Sequence, residues 1–588
     1  MRIPQRLELA LADAMQVLGL PGAEAASGRC TVSACHDPRF GDYQTNMALL
    51  AANATGKKPR DLAGEIVGKL RVEEICRRIQ VAGPGFINFE LKPETVAAEL
   101  AHLHAESRHA GIEQCAAPSV IVIDFSSPNI AKAMHVGHIR STFLGDALAR
   151  TARAMGHRVI TDNHLGDWGT QFGKLIHACK HMRDQNAPEI SSIEELDHLY
   201  REAHARSERD PTVLAAVRKE LALLQAGDQD NVRIWKQIAE LSLREFNHLY
   251  MRLGVTFDHY LGESFYNPML TGTVEELRML GIAEESEGAT CIFFREDPEL
   301  KNSAPMLIRK SDGAFLYATT DLAAVHYRLA TWKADEILYV TDSRQQLHFK
   351  QLFTAIRRWL DARTAVGKSQ APRLKHVFFG SILGPDRKPF QTRSGEPVRL
   401  ADLLDEATSR ALKVVREKNP DLDEQQQFKA AQVLGMGALK YADLAQNRNL
   451  DYTFDWDKLL ALQGNTAPYL IYAYVRICSI FKAGGAENSP RAGSAALFEL
   501  MDPAELMLAK HLIQFSDAVH SVLQDYRPHL LTNYLYELAV RFSKFYETCP
   551  VLKADEPSRS ERLALCHLSA RTLQRGLHLL GIETLEQM

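Results

Sequence analysis

Short apolar runs and longer amphipathic stretches alternate through the middle of the chain. Val120 to Phe125 is a β-branched, apolar run of the kind that sits inside a parallel sheet, and Ser126 to Asn129 supply the turn chemistry that ends it. From His138 onward Ile139, Phe143, Leu144, Ala147 and Leu148 recur at spacings of three and four, which predicts a helix whose apolar stripe packs on that strand. His157 to Asp162 reads as a second strand, and Asn163 to Gln171 as a turn that opens another helix. Phe315 to Leu322, running into a helix through Leu329, and Glu336 to Val340, followed by the polar segment Thr341 to His348, repeat the unit. This alternation, from 119 to about 390, predicts an α/β domain with a parallel sheet. In such sheets ligands bind past the carboxyl ends of the strands.

The flanks read differently. Residues 1–115 predict a small α/β module: Arg6 to Leu18 and Asp61 to Leu70 are helical, Ile79 to Leu91 is two short strands about an Ala-Gly-Pro-Gly turn, and the helix Glu94 to Ala110 leads into the central domain at 116–400. Within that domain, residues 190–255 break the alternation with long polar helices, Asp210 to Gln225 and Asn231 to Leu253, an insertion suited to a lid or a nucleic-acid contact. Beyond Leu400 the pattern is helical: Ala401 to Glu417 and Asp423 to Leu439 fall in a connector over 401–455, and a helical domain spans 456–588 with a Gly- and Ser-rich loop at 483–493. The fold class is therefore multidomain α/β, with a Rossmann-like parallel-sheet domain, a helical insertion, a small N-terminal α/β module and an all-helical C-terminal domain.

Composition narrows the function. With 588 residues, 46% hydrophobic and 24% charged, the chain is an ordinary globular protein. No stretch reaches membrane-spanning length and no apolar signal core is present, so a cytoplasmic protein is expected. Nine scattered cysteines without a C-x-x-C pair predict reduced core residues, with neither disulfides nor a zinc site. The net charge of −4 excludes a nucleic-acid binder of the simple electrostatic type. Recognition of RNA would have to come from local patches and stacking. Over 445–588 there are 14 Lys or Arg against 16 Asp or Glu, while Tyr469, Tyr472 and Tyr474 precede Arg476, and Phe542, Phe545 and Tyr546 cluster further on. Such rings at helical spacing serve a core, or stack on splayed bases at ~1–3 kcal/mol per base.

The chemistry concentrates just past the first strand. His135 and His138 lie three apart at the start of a helix, where free N–H groups and the dipole favour an anion, and Gly137 between them lets a ligand approach the backbone. A zinc centre would need a third ligand, and none stands at ligand spacing. Two surface histidines on a βα unit remain the plain alternative.

The whole stretch S-P-N-x-A-K-x-x-H-V-G-H, Ser127 to His138, resembles the first signature of class I aminoacyl-tRNA synthetases, in the form found in arginyl-tRNA synthetases. The resemblance extends over nearly the whole chain. It implies ATP and L-arginine as substrates, an arginyl adenylate as intermediate, and transfer to the terminal adenosine of tRNA(Arg). It assigns His135, His138 and Lys132 to catalysis, and Gly137, His348, Lys388 and Arg393 to ATP. Asn129, Ser127, Glu263, Tyr317, Asp321 and Gln345 would hold arginine, whose forked guanidinium needs carboxylate partners. On its residues alone, Asp321 after Thr319-Thr320 reads first as a helix N-cap. Tyr469, Arg476 and Tyr546 would meet tRNA. Phe40-Gly41-Asp42-Tyr43-Gln44 with Asn46 is similar to the family's opening module, which touches the tRNA elbow.

One element departs from the class. The loop Phe378 to Glu396 stands where Lys-Met-Ser-Lys-Ser is usual, but Phe390 to Ser394 reads Phe-Gln-Thr-Arg-Ser. Lys132, upstream of the histidines, would supply the missing cation, with Lys388 and Arg393 as helpers. Magnesium would accompany ATP without a protein cage. A monomer with no membrane association is expected, and family habit adds that tRNA binds before the adenylate forms. A small-molecule adenylyltransferase using the same crevice and a catalytically silent RNA-binding paralogue are the rival readings.

Overall fold

Four parallel strands, in spatial order Arg373–His376, Glu336–Val340, Val120–Phe125 and Arg158–Asp162, build the central sheet of the computed structural model. The structure describes residues 1–20, 32–35, 37–106, 109–184, 190–364, 371–391, 397–485 and 498–587. Glu336–Val340 is buried along its whole length and Val120–Phe125 at all but its first residue, as strands covered on both faces must be. Their register aligns Phe125 with Val340 and Asp124 with Asp162, so the turns that follow open at one edge. Helix Ile139–Ala154 packs on the first strand, and the absence of a side chain at Gly145 makes room for the Phe125 ring. Val122, Ile160, Ile337, Leu352 and Trp359 lie in the core beneath.

The chain divides into two compact units. The unit holding this sheet comprises residues 117–414 and 442–459. Its insertion is three helices, Ile193–Arg209, Pro211–Gln225 and Gln229–Leu253, each started by a side-chain cap from Ser192, Asp210 or Asp228. One expectation needs correcting. Phe315 to Leu322 is not a strand running into a helix: the helix Tyr317–Thr331 starts at once, and the strand is upstream, Met306–Arg309, in an antiparallel sheet with Glu284–Ser286 and Ala289–Ile292. Ala318, Leu322 and Val325 are buried, and this packing overrides the poor helix propensity of Thr319 and Thr320. Leu316 holds the cap position, so Asp321 stands inside the helix, one turn beyond Tyr317 and not at the N-cap.

The other unit comprises residues 1–116, 415–441 and 460–588. Its N-terminal part is an antiparallel sheet ordered Ser33–Ala34, Tyr43–Thr45, Phe86–Leu91, Cys76–Ala82, with helices Ile3–Val17, Met47–Thr55, Pro59–Val67 and Pro93–Ala105. The last of these stops five residues short of Ala110, which adopts a left-handed backbone. Asp42 accepts an ion pair from Lys510 at 2.9 Å, and the buried Tyr43 hydroxyl donates to Asp517 at 2.9 Å. These two residues thus tie the module to the C-terminal helices, while Phe40 stays exposed. Helices Ala467–Gly484, Pro503–Leu512, Phe515–Asp525, His529–Thr548 and Ser558–Leu579 complete the unit. Among the described residues no helix is long and apolar enough to cross a membrane. Eight cysteines are free thiols, and Cys30 lies outside the described residues.

Candidate active site

The turn after the first strand is strained. Ser126, Ser127 and Ala131 take left-handed backbone with φ of 73°, 49° and 67°, which costs non-glycine residues of order 1 kcal/mol or more each. Hydrogen bonds hold it there. The Ser126 amide donates to Ser141 Oγ at 2.8 Å, the Ser127 amide to Asn163 Oδ1 at 3.0 Å and the Ala131 amide to Ser242 Oγ at 3.0 Å. The hydroxyls of Ser126 and Tyr250 meet at 2.7 Å, and Asn163 Nδ2 donates to the same tyrosine at 3.0 Å. Asn129 pairs with Gly166 in an isolated bridge, and a Cβ at Gly166 would collide with Asn129 Oδ1.

His135 caps the single tight turn Val136–His138 that leads into the helix from Ile139. Its Nδ1 accepts the Gly137 amide at 3.1 Å, and His138 Nδ1 accepts the His135 amide at 3.1 Å. The His135 carbonyl lies 3.2 Å from His138 Nδ1, but the shorter, donated contact decides the tautomer. With Nδ1 accepting, each ring in its neutral form carries its hydrogen on Nε2. The ring centroids are 4.2 Å apart. Burial, then the charge of Lys132, lowers the His135 pKa, while burial and then His135 lower that of His138 to about 3. Both are therefore neutral N–H donors at pH 7. Gly137 is required by the geometry, since a Cβ there would sit 2.8 Å from His135 Cε1.

The second half of the crevice is acidic. Glu263 opens helix Glu263–Met279, its amide bonded to the Leu165 carbonyl at 3.0 Å, while the Asp167 carboxylate accepts the Ser264 amide at 2.8 Å and caps the same helix end. Burial raises the Glu263 pKa to about 7, with His164 lowering it and Asp167 and Asp321 raising it. The negative charge of Asp321 acts on Glu263 as well, in the direction that disfavours its ionised form. Asp321 Oδ2 is 2.7 Å from His348 Nε2, and the ring of Tyr317, a residue 63% exposed, lies 5.0 Å from the His348 ring. The family resemblance implies an ATP role for His348, whose ring contacts Asp321 and Tyr317. Gln345 is exposed in the turn Ser343–Gln345. Beneath the crevice Arg328, fully buried, bridges Asp124 at 2.7 Å and Asp162 at 2.8 Å, and Asp124 accepts the Ser127 hydroxyl at 3.1 Å.

The loop that follows is tied back to the histidines. The Val136 amide donates to the Val398 carbonyl at 2.9 Å and the Leu400 amide to Met134 at 2.9 Å, which pairs His135 with Arg399. Lys388 is exposed in the tight turn Gly384 to Lys388, and Arg393 lies outside the described residues. Lys132 is exposed, its ammonium 5.2 Å from the centroid of the Tyr200 ring. In the other unit Arg476 sits 5.2 Å over the Tyr546 ring, and Tyr469 lies 5.8 Å from Tyr536. Sequence reading passes over Arg328, Arg399, Tyr250 and Asn163. Only the first carries a local signal, an arginine in register with the apolar stripe of Leu322 and Val325.

The family model for "tRNA synthetases class I (R), catalytic domain" matches residues 100–456, that for "Arginyl tRNA synthetase N terminal domain" residues 3–91, and that for "DALR anticodon binding domain" residues 470–588. The arginine–tRNA ligase of Hahella chejuensis is 42% identical over 595 residues, covering 100% of both chains, and that of Proteus mirabilis 44% identical over 593 residues with the same coverage. The structure resembles that of Plasmodium falciparum arginyl-tRNA synthetase with a TM-score of 0.84 at 29% identity, covering 100% of this chain and 99% of that one. Thermus thermophilus arginyl-tRNA synthetase gives 0.82 at 25% identity, with both chains covered completely. A strained turn, a neutral histidine pair and a carboxylate pocket thus stand within a chain matched from end to end, and the chain belongs to the class I arginyl-tRNA synthetase family.

Proposed function

We infer that this chain ligates arginine to tRNA(Arg) in two steps in the crevice described above. Glu263 and Asp321 take the guanidinium from two sides with Tyr317 as a wall, while Ser127, Asn129 and Gln345 hold the amino and carboxylate end. The arginine carboxylate attacks the α-phosphorus of ATP; the new C–O–P bond forms as the α–β bridge opens and pyrophosphate leaves. Charge grows on the phosphate oxygens as phosphorus becomes five-coordinate, and the Nε2–H groups of His135 and His138 donate to it. Gly137 lets the phosphates close on the backbone. Lys132 balances the departing pyrophosphate, with Lys388 and Arg393 as helpers, and magnesium arrives with ATP. The terminal adenosine hydroxyl of the tRNA then attacks the adenylate carbonyl and releases AMP. Tyr469, Arg476 and Tyr546, from two neighbouring helices, offer planar surfaces for single-stranded bases. Eight free thiols among the described residues suit the reducing cytoplasm.

The observation that carries this reading is the pair of neutral histidines in the turn past the carboxyl end of the first strand, with both Nδ1 atoms occupied by backbone amides and both Nε2–H groups left to donate. ATP–pyrophosphate exchange with each amino acid, with and without tRNA, tests it. Of the amino acids, only arginine should support exchange, with tRNA present. Exchange with another amino acid would favour a different adenylyltransferase, and none under any condition a silent RNA-binding paralogue.

A further inference from the structure

The insertion helices have no part in the reaction as written so far, yet they reach Lys132 from two directions. Its backbone is set by Ala131, whose left-handed φ of 67° is held by the amide's hydrogen bond to Ser242 Oγ at 3.0 Å. Ser242 is itself fully buried on helix Gln229–Leu253, its hydroxyl also donating to the Ile238 carbonyl at 2.9 Å. The side chain is set by Tyr200, on helix Ile193–Arg209, over whose ring the Lys132 ammonium lies at 5.2 Å from the centroid. The ring is not free to choose its direction. His204 stacks on it at 6.0 Å and 11°, and Lys174 Nζ meets His204 Nδ1 at 2.6 Å from the preceding helix Thr170–Asp184. A second contact of the same insertion helix, Glu194 with Arg399 at 2.9 Å, grips the strand partner of His135.

We propose that Tyr200 and Ser242 make the insertion a positioning device for Lys132, aiming an otherwise solvent-exposed ammonium at the leaving pyrophosphate. A lysine stem has four rotatable bonds and a strongly hydrated head, so without a seat it samples many directions. An aromatic face offers attraction without neutralising the charge, which a carboxylate would do. That matters where the ammonium must remain a full cation for a polyphosphate. The inference rests on the assignment of Lys132 above and adds the residues that make that assignment work: Tyr200 and Ser242 are positioning residues and touch no substrate.

A double-mutant cycle in ATP–pyrophosphate exchange, with arginine and tRNA present, tests it. Tyr200→Leu should lower kcat on the order of tenfold with the arginine KM unchanged, as a misplaced catalytic group does. Tyr200→Phe, which keeps the ring face, should recover most of the rate. In a Lys132→Met background Tyr200→Leu should cost nothing further. If Lys132→Met alone leaves exchange unchanged, the role of the lysine fails. If it lowers exchange but Tyr200→Leu costs the same factor in both backgrounds, the lysine stands and the positioning proposal falls. Ser242→Ala gives an independent arm, since its loss of rate should likewise vanish without the lysine.

Discussion

Asp321 and His348 face each other across two helices, carboxylate oxygen to ring nitrogen 2.7 Å. With the carboxylate accepting, His348 donates from Nε2, and so turns one oxygen of Asp321 while leaving the other for a guanidinium. Hydrogen bonds to charged groups contribute ~1.5–3 kcal/mol. His348→Ala should therefore raise the arginine KM roughly tenfold or more and leave the ATP KM nearly unchanged. Steady-state exchange kinetics in both substrates decides between this and the nucleotide role that sequence assigns to His348, which predicts the opposite split.

With Glu263 in the guanidinium-binding role proposed above, arginine binding should depend on pH near neutrality. Burial raises its pKa to about 7, and the ionised form is the one a guanidinium needs. At pH 6 about a tenth of the free enzyme carries the charge and at pH 8 about nine tenths, so arginine affinity should improve roughly ninefold over that range. Binding near pH 7 should release a proton, visible as a buffer-dependent heat in calorimetry. The sign for folding is opposite: a raised carboxyl pKa leaves stability untouched below the unfolded value and costs stability progressively as pH rises from there to about 7, above which the cost is full. Glu263→Gln should thus abolish the proton release and melt no lower than the parent at pH 8. A pH-independent arginine affinity would rule the assignment out.

His138, with its pKa lowered to about 3, stays neutral through the physiological range. Exchange rates should show no titration from this ring between pH 6 and 8. His138→Ala removes the Nε2–H proposed above to donate to the developing phosphate charge, and should lower adenylate formation roughly 10²- to 10³-fold. Thermal unfolding should move little, since the ring is half-buried and rests on its own turn. Unchanged turnover would refute its role.

Gly137→Ala separates the histidines' positions from their chemistry. The new Cβ would lie 2.8 Å from His135 Cε1 and 2.9 Å from Nδ1, so the ring must swing out and lose the Gly137 amide. A selective fall in kcat with an unchanged melting midpoint is expected. An equal loss of both would mean that the tight turn itself had collapsed.

Much of this site was legible in the sequence because it is local. The strand Val120–Phe125, the Ser-Pro-Asn turn and the two histidines follow one another along the chain, and the strand Glu336–Val340 forms with the bounds that its apolar run implies. What stayed hidden is made by distant partners. Asn163, Tyr250 and Ser242 hold the strained turn from other elements, and nothing in their own neighbourhoods announces it. The start of helix Tyr317–Thr331 is not legible in the sequence, because two threonines suggest a strand end, whereas burial of the helix's apolar face decides. That shift moves Asp321 from the cap position to one turn inside the helix, where it meets His348.

Arg328 shows how far such a hidden partner matters. It is fully buried and bridges Asp124 and Asp162, neighbours in register on adjacent strands. Arg328→Met would leave two carboxylates facing each other without a counter-charge, and breaking a buried pair costs about 3–5 kcal/mol. The loss should depend on pH in a definite direction. Burial first, and the neighbouring Asp124, already push the Asp162 pKa up despite Arg328, and removing the arginine pushes it further. A folded-state pKa above the unfolded value means that destabilisation is full at high pH and fades as pH falls toward the unfolded value. The variant should therefore melt far below the parent at pH 8 and closer to it at pH 5, and adding Asp162→Asn should restore part of the difference at pH 8. Because Asp124 also holds the Ser127 hydroxyl at 3.1 Å, the arginine KM should rise in the single variant even where it remains folded. Equal melting at both pH values would show that the two carboxylates do not depend on this guanidinium.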